Sequence, residues 1–112
     1  MPKIENKPWG TFENILDETY CKVKRIIIKP GERPSYQYHY KRSEHWIIVS
    51  GSAKVTLEGE EKEFSVGDYI YIPLKAKHRV ENIGKNDLIF IEIQTGQYFG
   101  EDDIVRVSND YV

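Results

Sequence analysis

Apolar and polar residues exchange places at nearly every position of this chain from Thr11 onward, in short runs closed by glycine, proline or a charged pair. A period of two puts alternate side chains on opposite faces of an extended strand. TFENIL is the first such run and stops at Asp17-Glu18. YCKVKRIIIKP follows, with Lys22, Lys24, Ile26 and Ile28 on one face and Val23, Arg25 and Ile27 on the other. Its β-branched residues favour a strand. Pro30-Gly31 turns the chain, SYQYHY alternates again, and Lys41-Arg42-Ser43 leads into EHWIIVSG. SAKVTLEG and EEKEFSVG predict a hairpin about Glu58-Gly59-Glu60, and DYIYIP ends at Pro73. HRVEN and LIFIEIQ flank the turn at Ile83-Gly84-Lys85-Asn86, and IVRV is the last run. Residues 1–10 read as an extended lead-in, because Pro2 and Pro8 oppose helix, with Trp9 tucked against the domain edge. No stretch keeps helical spacing without a glycine or proline. About eight to ten short strands with regular turns predict one all-β domain, a sandwich or small barrel.

Composition narrows the function. The 112 residues suffice for one domain with one modest core. The 16 basic and 18 acidic residues leave a net charge of −2, which gives no electrostatic footprint for nucleic acid. The tyrosines are spread among strands and not interleaved with a basic run. A single cysteine, Cys21, excludes an internal disulfide and a cysteine-rich zinc site, and reads as a half-buried strand residue. No apolar run reaches the length of a membrane span, and MPKIENKPWG has no apolar signal core, so a cytoplasmic protein is expected.

Candidate chemistry gathers between Gly31 and Gly51. Gln37 and His39 are two apart and share a strand face, and Glu44 can join them from the next strand. In the second half, Gly67, a strand, Pro73 and a turn bring in His78, with Asn82 four residues on. A lone strand histidine is usually a core or surface residue; two with a carboxylate at these spacings form a ligand set. Two imidazoles, one carboxylate and one amide oxygen suit a divalent ion, zinc first, with manganese, iron, cobalt and nickel also compatible. The neutral amide of Gln37 leaves such an ion more Lewis acidic, which favours polarising a substrate oxygen. His45 neighbours Glu44 and faces the other way, so it reads as structural or interfacial. Glu92 shares a face with Leu88, Phe90 and Gln94, and a carboxylate within a run of isoleucines needs a reason.

The order Gly31, Gln37, His39, Glu44, Gly51 resembles the first cupin motif, and Gly67, Pro73, His78, Asn82 resembles the second. Gln37 stands where that pattern has its first histidine, and Lys75 stands where it has a glycine after the proline. Across nearly the whole chain, KPWG, FENILDE, YCKVKRI, KPGERPSYQYH, RSEHWIIVSG, YIPLKAKHRVEN and IEIQTGQYFGEDDIVR are similar to the C-terminal domain of bifunctional mannose-6-phosphate isomerase/mannose-1-phosphate guanylyltransferases. Zinc-type phosphomannose isomerases also pair Gln-x-His with a glutamate and a distant histidine. The resemblance implies a cupin double-stranded β-helix, a jelly roll, with Gln37, His39, Glu44 and His78 as metal ligands. It further implies interconversion of mannose 6-phosphate and fructose 6-phosphate through an enediol. No glycine-rich nucleotidyl loop is present, so no sugar nucleotide is expected to be made. For such an isomerase, Glu92 is the expected general base, with Lys24 as alternative base or phosphate contact. Arg42 is the first expected phosphate contact, followed by Lys41 and Arg106, with Gln94 as a further substrate contact. A sugar phosphate is the expected small-molecule partner, and N-terminal strand edges imply a homodimer. Two other functions fit the same residues: a module that binds metal and sugar phosphate but needs a partner domain to turn over, and another metal-dependent cupin enzyme such as a dioxygenase. The run Gly100-Glu101-Asp102-Asp103 reads as an exposed turn.

Overall fold

The computed structural model describes residues 3–111, which form β1 (Lys3–Lys7), β2 (Gly10–Asp17), β3 (Lys22–Ile28), β4 (Tyr36–Tyr38), β5 (Arg42–Ser50), β6 (Ala53–Leu57), β7 (Glu60–Phe64), β8 (Tyr69–Ile72), β9 (His78–Asn82), β10 (Leu88–Gly96) and β11 (Val105–Ser108). There is no helix among the described residues, and so none long and apolar enough to cross a membrane. The strands make a 6-stranded sheet in the order β1-β2-β3-β10-β5-β8 and a 5-stranded sheet in the order β11-β4-β9-β6-β7, all antiparallel. This is the all-β sandwich expected from the alternation, in the jelly-roll form that the cupin resemblance implies.

One expectation gains detail and one needs correction. The extended lead-in is itself a strand over residues 3–7, which pair with β2 from Lys3↔Asn14 to Lys7↔Gly10. Pro8 lies between the two strands, where its missing N–H costs no ladder bond. The correction concerns the ligand strands. β4 and β5 are consecutive in sequence but lie in opposite sheets, so Gln37 and Glu44 face each other across the sandwich instead of standing on adjacent strands.

The register explains where the site falls. Along the inner face of β10, Leu88 lies opposite Ile28, and Phe90 lies between Ile26 and Ile48. Two residues further, Glu92 lies between Lys24 and Trp46, and Gln94 between Lys22 and Glu44. β3 and β10 therefore change from apolar to charged at the same level, and β5 follows one inward position later, after Trp46. The apolar half packs with Val55, Ile70, Ile72 and Val80 into one core. Burying such side chains contributes about 25 cal/mol per Å². The charged half cannot pack on hydrocarbon and surrounds a cavity instead.

Left-handed backbone sets two of the tight points, one at a glycine and one not. Gly51 has φ of +91°, and a Cβ there would come within 2.9 Å of the Asp87 carbonyl oxygen. Lys75 adopts φ of 65°, the left-handed conformation for which glycine is the usual residue. Asn82 is a clasp at the apolar end: its Nδ2 donates to the carbonyls of Ile28 and Asn86, both at 2.8 Å, and its Oδ1 accepts from Gly84 N.

Candidate metal centre

His39, Glu44 and His78 converge from both sheets, with one ligand atom from each lying within 4.8 Å of the others. All three are buried. His39 follows β4, Glu44 is the third residue of β5, and His78 opens β9 directly opposite Gln37. Opposite residues of an antiparallel pair share a face, so Gln37 and His78 point the same way, and Gln37 lines the same cavity as Glu44.

The histidine tautomers follow from their partners. His39 Nδ1 lies 2.7 Å from the Asp103 carbonyl oxygen, and His78 Nδ1 lies 2.9 Å from the Ala76 carbonyl oxygen. A carbonyl only accepts, so both Nδ1 atoms carry the proton. Arg42 Nη2 can only donate, and it lies 3.3 Å from His39 Nε2, so that nitrogen presents a lone pair. Burial pushes the His78 imidazole down, towards its neutral form. His39 Nε2 is nonetheless 3.2 Å from Glu44 Oε2, and His78 Nε2 is 3.8 Å from Glu44 Oε1. Acceptor atoms facing acceptor atoms in a buried site suit a cation, a place that the Arg42 guanidinium takes in part by reaching His39 Nε2 and Glu44 Oε2. The donor set, and imidazoles oriented by backbone carbonyls, fit a divalent metal.

Glu44 is stretched between several partners. Arg42 Nε donates to Oε2 at 3.0 Å, and Trp46 Nε1 donates to Oε1 at 3.0 Å. Burial opposes its ionisation, but its neighbours His39, His78 and Arg42 together outweigh it and hold the carboxyl well below its usual range. Trp46 Nε1 also reaches Glu92 Oε1 at 3.2 Å. Burial, then the Glu44 charge, push Glu92 up to about 8.

The cavity has a volume of about 830 Å³, within the usual range for small-molecule sites. Lys24, Gln37, Arg42, Glu44, Glu92 and Arg106 all line it. Arg42 is there, but its guanidinium is engaged by Glu44 and His39. Lys41 and Gln94 are not in its wall. Lys41 is exposed, with its ammonium 5.2 Å from the centre of the Tyr98 ring. Gln94 is fully buried behind Glu92 and donates from Nε2 to Glu92 Oε2 at 2.7 Å, while its Oε1 has no protein partner. His45 points to the outer face, bonded to Tyr69 Oη and Thr95 Oγ1.

Three contributions were not legible in the sequence. Trp46 bridges the two inner carboxylates. Asp103 is buried, and its carboxylate accepts from Tyr40 N and Lys41 N at 3.0 and 2.9 Å. Glu101 lines the cavity and reaches Lys22 and Lys24. The run from Gly100 to Asp103 is thus not a plain exposed turn. It lacks any period, and only its run of acidic residues in a chain with buried lysines hints at a role.

The jelly-roll sandwich and this His-Glu-His group define a cupin with a candidate metal centre at one end of the barrel. The chain belongs to the mannose-6-phosphate isomerase C-terminal family, whose model matches residues 3–109. It is 52% identical over 105 residues to the mannose-1-phosphate guanylyltransferase of Salmonella montevideo, covering 94% of this chain and 22% of that protein. The chain therefore spans less than a quarter of the length of that curated relative. Among solved structures, oxalate decarboxylase from Bacillus subtilis superposes with a TM-score of 0.83 at 18% identity, covering 95% of this chain and 30% of that one. The capsular polysaccharide assembling protein CapF from Staphylococcus aureus gives 0.81 at 21%, covering 96% and 34%. These two likenesses concern the fold alone.

Proposed function

We propose that the chain is a metal-dependent mannose-6-phosphate isomerase, interconverting mannose 6-phosphate and fructose 6-phosphate. The observation that carries this reading is the joint geometry of His39, Glu44 and His78 beside a cavity that also presents Glu92 and buried cations. Membership of the isomerase C-terminal family supports the substrate. Gln37 is proposed as the fourth ligand, from its place opposite His78.

A divalent ion, zinc by donor preference, would supply Lewis-acid polarisation of the substrate carbonyl and neighbouring hydroxyl. The chain's own groups do the rest. Glu92 removes the proton from C2 of the open-chain aldose, leaving an enediol, and returns it to C1 as the ketose forms. The hydroxyl proton moves from O2 to O1 in the same exchange. Trp46 and Gln94 hold the two oxygens of Glu92, which fixes the carboxyl against the substrate. Lys24 and Arg106 face the same space as cations for the phosphate. Reaction in deuterated water tests the proton step: deuterium enters carbon in wild type, and Glu92→Gln loses this while keeping its metal. Undiminished exchange in Glu92→Gln would assign the base elsewhere.

The small share of the relative's length favours one other reading, a module that binds metal and sugar phosphate and turns over only with a partner domain. Calorimetry detecting mannose 6-phosphate binding with no isomerisation would select it. A homodimer belongs to the same proposal, since β1 leaves an open edge on the larger sheet. Light scattering giving a monomer at high concentration would exclude that pairing.

A further inference from the structure

Lys22 and Lys24 are an uncommon pair. They are two apart on the inner face of β3, and only 6% and 4% exposed. Burying two ammonium groups side by side is costly unless anions face them. Among the described residues, both ammoniums meet the same carboxylate oxygen, Glu101 Oε1, at 3.3 Å from Lys22 and 2.6 Å from Lys24. Lys22 also donates to the Phe99 carbonyl at 2.9 Å. Glu92, directly opposite Lys24, accepts hydrogen bonds from Trp46 and Gln94 and makes none to either lysine. Among the described residues, the two buried ammoniums thus share one carboxylate as their ion-pair partner.

The partner is also the least secured member of the group. Glu101 sits on irregular backbone between β10 and β11, and its side chain is 54% exposed. Its neighbours Phe99 and Asp103 are buried and pin the loop on either side. Glu101 can therefore leave the lysines by rotating its side chain, with the loop still anchored.

We propose that Lys24 in the cavity wall, with Lys22 beside it behind Glu101, forms the phosphate subsite, and that Glu101 is a resident counter-anion displaced when a phosphomonoester dianion arrives. This rests on the isomerase reading for its substrate and adds the subsite and its gate. A dianion matches two ammoniums where one carboxylate does not. β3 stands two strands from β5, about 10 Å across the sheet, a separation that a six-carbon sugar bridges with its carbonyl end near Glu44. Displacement of Glu101 favours phosphorylated over free sugar: a neutral hydroxyl cannot replace a carboxylate between two buried lysines.

The test is calorimetric titration of inorganic phosphate and of unphosphorylated mannose into wild type, Glu101→Gln, Lys22→Met and Lys24→Met, with mannose 6-phosphate turnover measured in parallel. Glu101→Gln keeps the side chain's shape at a half-exposed position and removes the competing charge. It is expected to bind phosphate about tenfold more tightly, whereas each lysine variant binds it at least about tenfold more weakly; mannose binding is unchanged throughout. Phosphate affinity that is unchanged or weaker in Glu101→Gln would overturn the proposal, whatever the lysine variants do. Turnover by a protein whose phosphate affinity ignores Glu101 would sink this inference and spare the isomerase reading. Phosphate binding that responds as expected without any turnover would do the reverse.

Discussion

The backbone carbonyl of Asp103 holds the imidazole of His39, with 2.7 Å between that oxygen and Nδ1. A loop near the C-terminal end of the chain thereby orients a candidate ligand near its middle. The Asp103 carboxylate secures the arrangement by accepting from Tyr40 N and Lys41 N, the two residues after His39. Asp103→Ala should cost about 1–2 kcal/mol of stability. It should also weaken metal binding about tenfold or more, as expected when a ligand's supporting partner is lost. Thermal melts and a metal titration check the two effects separately; a stability loss with unchanged metal affinity would mean that the loop does not orient His39.

Lys75 carries the opposite kind of constraint. Its φ of 65° strains a side chain that has a Cβ, and its N–H is bonded to the His39 carbonyl at 2.8 Å. Lys75→Gly removes the strain, about 1–2 kcal/mol, and adds freedom to the unfolded chain, about 0.5–1 kcal/mol. The variant should be more stable by up to about 1 kcal/mol. A denaturant midpoint below that of wild type would refute this.

Trp46 joins the two inner carboxylates through one N–H, at 3.0 Å from Glu44 and 3.2 Å from Glu92. Trp46→Phe keeps most of the buried ring and removes that donor. Hydrogen bonds to charged groups contribute about 1.5–3 kcal/mol. The variant should retain its metal while kcat falls about tenfold or more. Steady-state kinetics on metal-quantified protein checks this, and an unchanged kcat would show that the bridge does not position Glu92.

Asp110 ties the C-terminal segment to the body of the protein. Its carboxylate receives Arg33 Nε at 2.6 Å, and that hydrogen bond holds its pKa below the usual 3.8. A depressed carboxylate contributes stability above its unfolded pKa and loses it as pH falls through the folded value. The melting temperature of wild type should therefore exceed that of Asp110→Asn near neutrality. The gap should close as the pH is lowered through and below 3.8. A gap that persists undiminished in acid would mean that the pair does not act through charge.

Much of this is legible along the chain, for a definite reason. Lys24 reads on the face of Ile26 and Ile28, and Glu92 on that of Leu88 and Phe90, because a strand's period of two assigns faces from parity alone. His39, Glu44 and His78 read as a ligand set because their spacing within and between strands restricts which side chains can meet. Parity says nothing about which strands become neighbours. Gln37 and Glu44 stand on successive strands, yet the chain crosses between sheets after Tyr40, so their adjacency is across the sandwich. Nor does it reach loops. Glu101 and Asp103 lack any period, and only the folded chain brings them against β3 and His39. Lys41 illustrates the other error. It is one residue from Arg42, but one residue is a change of face, and its ammonium lies over Tyr98 outside the cavity.

The central claim is that His39, Glu44 and His78 hold a divalent ion required for isomerising mannose 6-phosphate. Elemental analysis and a coupled mannose 6-phosphate assay on the same purified preparation test it most directly. The account predicts about one divalent ion per chain, turnover that disappears on chelation and returns when the ion is restored, and neither ion nor turnover in Glu44→Gln. Turnover that survives complete metal removal, or no turnover at any metal loading, would contradict it.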